Sequence, residues 1–298
     1  MNGIFNIDKP QRMTSHDVVA RVRRIIGQRR VGHAGTLDPM ATGVLPVVVG
    51  TATRLVEYLA DADKAYRATL MLGITSDTYD REGTLTPTRY EGSMPSRQEL
   101  DTALERFRGE IEQLPPMHSA VKVGGKKLYE LARQGVEIER QARRVTITRL
   151  DVEVYRPPIL QIFVECSKGT YIRSLAHDLG AVLGTGAYLD ALVRTRHGPF
   201  TLEEATTLEG IEAAMQQDTW QESLYPPEHI LAGWQTYITT PQEERDLIQG
   251  KPLQLAAPQD GARPMMAAKT SAGELLAVLY WDSGREVWQP KKVFMYDK

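Results

Sequence analysis

Apolar residues at helical spacing predict an early helix in this chain. They recur every three or four positions: Val18, Val19, Val22, Ile25 and Ile26. Thr14 stands three residues before Asp17, the spacing of a capping box, and Gly27 follows the last apolar position. We therefore expect a helix that begins after Thr14 and ends near Gly27.

Strand patterns alternate with further helical ones along the rest of the chain. Residues 66–72 (YRATLML) alternate as a strand does, and residues 145–154 and 160–166 are also typical of strands. Residues 171–183 place apolar side chains on one helical face. This mixture predicts an α+β fold.

The C-terminal part has a different character. Residues 226–240 contain Pro226 and Pro227 and read as a connector. Short apolar runs with glycine-containing turns follow as far as Phe294. We expect a small β domain there, of about sixty residues, near the lower limit for independent folding.

One loop is unusually dense in glycine and proline. Residues 32–46 (GHAGTLDPMATGVLP) contain a single carboxylate, Asp38, directly before Pro39. Proline fixes its own φ and restricts the residue before it, and an apolar strand pattern follows. Asp38 is either a turn residue that bonds to its own backbone or a candidate nucleophile or base.

Composition and charge narrow the class of protein. The chain has 298 residues, 42% hydrophobic and 25% charged, as in ordinary globular proteins. No apolar run approaches the ~18 residues of a membrane span, and the N-terminus lacks signal-peptide features. Cys166 is the single cysteine, which excludes an internal disulfide and a cysteine-cluster metal site. We expect a cytoplasmic protein.

Positive charge is concentrated near the N-terminus although the net charge is −2. Seven basic residues lie between positions 9 and 30, against one acid, Asp17: Lys9, Arg12, Arg21, Arg23, Arg24, Arg29 and Arg30. This cluster is either a phosphate-binding face or a solvated helix surface.

Five ordered segments resemble one known family. Beside the Asp38 loop, these are Lys9-Pro10 with Met13-Thr14-Ser15, then DKAYR (63–67), PPMHSAVKVGGKKLYELARQG (115–135), KGTYIR (168–173) and LVR (192–194). Together they resemble the bacterial TruB family of tRNA pseudouridine synthases. The resemblance covers about residues 9–200, and the C-terminal segment is similar to that family's PUA-type RNA-binding domain.

The resemblance implies an architecture and an activity. We expect a mixed or antiparallel sheet with surrounding helices over residues 1–230 and a PUA-like β domain over residues 240–298. The implied reaction converts uridine 55 in the T-loop of tRNA to pseudouridine, with tRNA as the partner, a monomeric protein, and no metal or organic cofactor.

The resemblance also implies roles for particular residues. Asp38 would be the catalytic nucleophile, Arg173 would pair with it and keep it ionised, and Tyr66 would lie on the uracil face. Tyr171 and Leu192 would complete the pocket wall, and His33 would stack into the gap left by a flipped base. Taken singly, Arg173 also fits a surface ion pair and Tyr66 an ordinary strand aromatic. Leu192 also fits a core leucine, and His33 fits a loop imidazole that is bonded locally.

Several basic residues are candidates for phosphate contact, and two positions differ from the family's usual sequence. The candidates for phosphate contact are Lys9, Arg21, Arg24, Lys64, Lys122, Lys126 and Lys127. The family usually has glycine where this chain has Arg12, so the loop there is expected to differ or to gain a phosphate contact. It usually has tyrosine where this chain has His118.

Two other functions fit part of the pattern. A non-catalytic RNA-binding protein could use the same scaffold, although Asp38, Tyr66 and Arg173 together speak against it. A nucleoside hydrolase would need a second acid or a metal-binding cluster, and residues 77–83 (DTYDREG) are the place to look for one.

Overall fold

A computed structural model of the chain describes residues 1–90, 92–117, 119, 138–259, 261 and 263–294, with the backbone alone at 122–123 and 126–127. Within these ranges the helices are α1 (Ser15–Ile26), α2 (Val56–Ala60), α3 (Arg97–Leu104), α4 (Ile172–Val182), α5 (Leu208–Gln216) and α6 (Pro241–Ile248). Short 3-10 helices span Gly50–Leu55, Glu105–Phe107, Trp220–Ser223 and Pro227–Leu231.

The strands of the described residues fall into one large sheet and three smaller ones. The large sheet contains β1 (Gly3–Lys9), β2 (Val31–His33), β3 (Thr42–Val49), β4 (Lys64–Leu72), β7 (Gly109–Gln113), β10 (Arg143–Arg156), β11 (Ile159–Cys166), β12 (Ala187–His197), β13 (Phe200–Thr201) and β14 (Leu224–Tyr225). Two hairpins are formed by β5 (Ile74–Ser76) with β6 (Leu85–Pro87) and by β8 (Lys122–Val123) with β9 (Lys126–Lys127). The C-terminal sheet contains β15 (Thr236–Ile238), β16 (Met265–Lys269), β17 (Leu275–Asp282) and β18 (Val287–Val293).

The large sheet has the order β14-β1-β3-β12-β4-β11-β10-β7. Its neighbouring strands pair antiparallel except β3 and β12, which are parallel. The predicted α+β class with a mixed sheet is therefore confirmed. The parallel contact matters for function, because it places the strand after the Asp38 loop beside β12 at the centre of the sheet.

Helix α1 shows how the local sequence fixes an element. The Thr14 hydroxyl accepts a hydrogen bond from the backbone N–H of Asp17 (3.1 Å), and the Asp17 carboxylate accepts one from the Thr14 N–H (2.8 Å). Gly27 ends the helix in the left-handed conformation at φ 64°. Val18, Val19 and Val22 are buried against the sheet, as the spacing predicts.

The C-terminal sheet packs directly on the large sheet. Ala267, Leu275, Val278 and Phe294 share a hydrophobic cluster with residues of β1, β3 and α2, among them Ile4, Val44, Val48 and Tyr58. Its first strand, β15, lies before position 240, the predicted start of the β domain. The PUA likeness of this sheet and the two domain ranges stay predictions.

Candidate active site

The loop that carries Asp38 connects β2 to β3 and is held on both sides. The Leu37 N–H donates to Oγ of Ser15 (2.9 Å), and the Pro39 carbonyl accepts from the Arg12 N–H (2.8 Å) and from Nζ of Lys9 (3.3 Å). Leu37 and Met40 are buried on either side of Asp38, whose own side chain is 34% exposed. The loop therefore presents one carboxylate above an apolar floor.

Glycine is required where this loop meets β12. Gly43 has φ +97°, and a Cβ there would lie 2.3 Å from the carbonyl oxygen of Arg194. Gly35 has φ +73°, and its Cβ would lie 2.9 Å from Cε1 of His197. The two glycines allow the Asp38 loop to lie directly on β12.

Arg173 contacts both carboxylate oxygens of Asp38, one through a hydrogen bond and one through an ion-pair contact. Nε of Arg173 lies 3.0 Å from Oδ2 of Asp38, and Nη2 lies 3.2 Å from Oδ1. Arg173 occupies the first turn of α4, and its side chain is 6% exposed. A bidentate pair of this kind fixes both the position and the orientation of the carboxylate. The expected contact between Arg173 and Asp38 is present.

A second carboxylate, from Asp80, completes a buried network around Arg173. Nη1 of Arg173 donates to Oδ2 of Asp80 (3.2 Å) and to the carbonyl of Thr78 (3.4 Å). The Asp80 side chain is 5% exposed and also accepts from the Thr78 hydroxyl (2.6 Å) and the Glu82 N–H (3.0 Å). The sequence indicated this loop only as a place to look for a second acid.

The charge state of Asp38 is set by opposing effects. Burial raises the pKa of Asp38 above its ordinary value, and the nearby charge of Asp80 raises it further, while Arg173 and Lys9 lower it. The net direction is upward although the bidentate contact with Arg173 is present. Arg173 was expected to keep Asp38 ionised; its charge does lower the pKa of Asp38, but removal from water outweighs that effect in the net direction.

Tyr66 and Leu192 lie on neighbouring central strands. Tyr66 of β4 pairs directly with Arg194 of β12, and Leu192 pairs with Ala68. Tyr66 and Leu192 are both buried and belong to the same hydrophobic cluster as Leu37. Burial raises the pKa of Tyr66 to about 12, so its phenol is protonated at neutral pH. The structure thus brings an apolar wall and a neutral hydroxyl to the sheet beneath the Asp38 loop.

Residues 23–232 of the chain match two family models. One, described as the TruB family pseudouridylate synthase N-terminal domain, matches residues 23–172. The other, described as the tRNA pseudouridylate synthase B C-terminal domain, matches residues 173–232. The chain belongs to the TruB family of pseudouridylate synthases.

Relatives and solved structures agree with this TruB assignment. The protein named tRNA pseudouridine synthase B of Symbiobacterium thermophilum is 56% identical over 216 residues, which cover 72% of each chain. Its namesake of Dehalococcoides mccartyi is 42% identical over 99% of this chain and 97% of the relative. The structure of an H/ACA ribonucleoprotein bound to a substrate RNA matches with TM-score 0.76 and 26% identity, over 99% of this chain and 85% of that one. A Cbf5-Nop10-Gar1 complex matches with TM-score 0.76 and 28% identity, over 98% and 85%.

Tyr171 and His33 occupy defined positions in this TruB member. Tyr171 precedes α4, where its backbone exchanges hydrogen bonds with the Gln113 side chain (2.7 and 3.0 Å). His33 is half-buried at the end of β2, with its ring edge-on to His16 at 5.2 Å. Burial lowers the pKa of His33 to about 4, so the ring is neutral at physiological pH. Their roles toward RNA stay predictions.

Two of the residues expected to contact phosphate, Lys9 and Lys64, are buried in this structure. Lys9 is fully buried, and its Nζ donates to the carbonyls of Pro10 (2.9 Å), Met13 (2.7 Å) and Pro39 (3.3 Å). Lys64 is buried, and its Nζ donates to the carbonyls of Ala60 (3.1 Å) and Ala62 (2.6 Å). Burial lowers the pKa of each lysine to about 8. Both lysines hold backbone carbonyls around the site, and their contacts with phosphate stay predictions.

Other phosphate candidates differ in how far the structure describes them. Arg21 is half-exposed and forms an ion pair with Glu212 (2.6 Å), and Arg24 lies in the same shallow surface pocket. The side chains of Lys122, Lys126 and Lys127 lie outside the described residues, as does His118. The basic N-terminal cluster therefore contains a buried lysine, Lys9, that bonds to backbone carbonyls, and arginines such as Arg24 that are exposed to solvent.

Arg12 occupies the position of the family's glycine in a glycine-like conformation. Its φ is +68°, its backbone N–H bonds to Pro39, and its side chain is exposed. Glycine adopts this left-handed conformation more readily than arginine does, and the exposed Arg12 side chain places a cation on the segment that anchors the Asp38 loop.

The remaining expectations concern metals and membranes. Among the described residues, no group of three or more His, Cys, Asp and Glu side chains is placed to hold a metal ion. In the same part of the chain, every helix is too short or too polar to span a bilayer.

Proposed function

We propose that this chain isomerises uridine 55 in the T-loop of tRNA to pseudouridine, with Asp38 as the catalytic nucleophile. The observation that carries the proposal is the Asp38 carboxylate, held bidentate by Arg173 above a wall formed by Tyr66 and Leu192. Relatives named tRNA pseudouridine synthase B support tRNA as the substrate.

The reaction needs few groups from the protein. The bond from N1 of uracil to C1′ breaks, a bond from C5 to C1′ forms, and the C5 proton is lost while N1 gains one. Uracil delocalises negative charge as it leaves, so the demand for a general acid is weaker than in a glycosidase. One carboxylate can then suffice, either by attack on C1′ or by forming a glycal intermediate.

The site geometry suits an Asp38 that reacts as an anion. Burial makes its carboxylate more basic than an exposed one, and a more basic anion is a better nucleophile or base. Arg173 keeps the carboxylate oriented without blocking it, since a third of the side chain remains open. Tyr66 would stack on the flipped uracil, and its hydroxyl would assist transfer of the C5 proton as a neutral phenol.

The structure weakens the hydrolase alternative. Asp80 is a second carboxylate in contact with Arg173, but it is buried and bonded to Arg173, to Thr78 and to the backbone of Glu82. A general acid must reach the leaving group, and Asp80 is already committed to these partners. The non-catalytic alternative leaves unexplained why Arg173 holds both oxygens of a carboxylate whose pKa burial raises while a third of its side chain stays open.

A T-arm stem-loop labelled with tritium at C5 of uridine 55 tests the proposal. Isomerisation releases the tritium to water while the mass of the unlabelled RNA stays constant; hydrolysis instead releases free uracil. A stem-loop with cytidine at position 55 is the matched control and should not react. A folded protein that binds the stem-loop without releasing tritium would support the non-catalytic alternative.

A further inference from the structure

Two aromatic rings, from Tyr79 and His177, stack on each other close in sequence to Asp80 and Arg173. The rings of Tyr79 and His177 lie with centroids 3.9 Å apart and planes at 17°. Tyr79 directly precedes Asp80, and His177 lies one helical turn after Arg173 on α4. The stack therefore joins the two segments that supply Asp80 and Arg173.

Tyr79 has a backbone conformation that its residue type disfavours. Its φ is +66°, in the left-handed region, where a β-carbon crowds the backbone. Hydrogen bonds from the Tyr79 N–H to the Ser76 carbonyl (3.1 Å) and from the Leu189 N–H to the Tyr79 carbonyl (2.9 Å) hold the turn. Such a conformation persists only where the surroundings over-determine it.

The turn at Tyr79 aims the next residue inward. Asp80 is buried, whereas Tyr79 is half-buried and Arg81 is exposed. The Asp80 carboxylate meets Nη1 of Arg173, and the other two guanidinium nitrogens meet Asp38. Because the guanidinium is rigid and planar, a shift at Nη1 also moves the nitrogens that bind Asp38.

We propose that the Tyr79–His177 stack is a positioning clamp: it fixes Asp80 against Arg173 and so aligns Arg173 on Asp38. The inference rests on the proposed function of Asp38. Neither ring is assigned a contact with substrate, so both are positioning residues. Their effect on rate comes through geometry, to which catalysis is sensitive at the scale of 1 Å.

Three single variants and one double variant test the clamp by single-turnover kinetics on the T-arm stem-loop. Tyr79→Gly permits the left-handed backbone but removes the ring, and His177→Ala removes the other ring from α4. Each should slow tritium release roughly tenfold or more. The RNA dissociation constant should change by less than about twofold, because no phosphate contact is removed.

Tyr79→Phe is the conservative control. It keeps the stack and should react within about twofold of the wild type. The double variant Tyr79→Gly with His177→Ala should be no slower than either single variant, since both remove one shared contact.

The pH profile separates positioning from a loss of stability. Arg173 lowers the pKa of Asp38, so poorer alignment raises that pKa, and the acidic limb of the rate profile should move to higher pH. Circular dichroism must show that each variant is folded. Should Tyr79→Gly not fold, His177→Ala decides the question.

Wild-type turnover in the same experiment separates the two claims. A folded wild type that releases no tritium contradicts the proposed function. An active wild type with equally active Tyr79→Gly and His177→Ala, or with additive losses and an unmoved acidic limb, overturns the clamp.

Discussion

Replacing Arg173 by methionine tests the energetic role of the buried network. Methionine keeps most of the aliphatic volume but removes the guanidinium that Asp38 and Asp80 share. Two carboxylates are then left without their common cation. We expect both activity and folding stability to fall.

The size of the loss follows from burial. Removing one partner of a buried ion pair costs roughly 3–5 kcal/mol, because the other charge stays desolvated. Asp80 is 5% exposed, but it keeps hydrogen bonds from Thr78 and Glu82. We therefore place the cost of leaving Asp80 without Arg173 at the lower end of this range. Asp38 is 34% exposed and contributes less. We predict a loss of about 3 kcal/mol in the free energy of unfolding at pH 7.

The pH dependence has a defined sign. Burial already holds the pKa of Asp38 above its unfolded value, and removing Arg173 raises it further. When a carboxyl group has a higher pKa in the folded protein than in the unfolded chain, the free energy of unfolding is unaffected at pH values below the unfolded-state pKa. It falls as the pH rises from there toward the folded-state pKa. The stability gap between the wild type and Arg173→Met should therefore widen as pH rises from about 4 toward neutrality.

Urea unfolding at about pH 4.5 and about pH 7.5, near the two ends of this pH range, measures the loss of stability and its dependence on pH. The matched control is Arg67→Met, which breaks a bidentate pair with Glu153 at 2.6 and 3.1 Å, but with the Arg67 side chain 51% exposed. It should lose less than about 1 kcal/mol. A similar loss in both variants, or a gap for Arg173→Met that does not grow with pH, would refute the reasoning.

Three further predictions follow from particular contacts. Arg12→Gly should raise the free energy of unfolding in urea by up to about 1 kcal/mol, since glycine accepts φ +68° without strain; a decrease would contradict this. Deleting residues 236–298 should expose the cluster around Ile4 and Tyr58 and cause aggregation, which light scattering detects; a soluble, cooperatively folding truncation would show that the C-terminal sheet is dispensable. Tyr66→Phe should keep stem-loop affinity but slow single-turnover tritium release; a near-normal rate would reduce Tyr66 to a stacking surface.

Much of the secondary structure could be predicted from local pattern. The capping box and apolar spacing predicted α1, and alternation in residues 66–72 predicted most of β4 (Lys64–Leu72). Residues 145–154 and 160–166 fall within β10 and β11. These elements are predictable because caps, turns and periodicity act over a few residues.

The contacts of the site depend on topology that local pattern does not contain. Asp38 and Arg173 are 135 positions apart, and the parallel contact of β3 with β12 helps bring their segments together. The pairing of Arg173 with Asp38 was expected only from the family resemblance. Its second partner, Asp80, lies in a polar stretch whose sequence gives no sign that this one carboxylate is buried.

Lys9 and Lys64 show that the sequence position of a lysine does not reveal whether its side chain is buried. Lysine usually lies at the surface, but each of these side chains ends on backbone carbonyls inside the fold. A signal was present for Lys9, since it lies two positions after Ile7 at the end of the strand β1 and so on the same face as that buried residue. The left-handed conformation of Arg12 is one that glycine favours, and the sequence of this chain alone gives no sign of it.

The most direct test of the central claim is the tritium-release rate of Asp38→Asn on the T-arm stem-loop at saturating enzyme. The amide keeps the volume and removes the nucleophilic charge. Asp101→Asn, at an exposed carboxylate on α3, is the control and should react normally. We predict that Asp38→Asn binds the RNA, stays folded and retains less than about one per cent of wild-type turnover. A folded variant that exceeds this rate would contradict the assignment of Asp38 as the nucleophile.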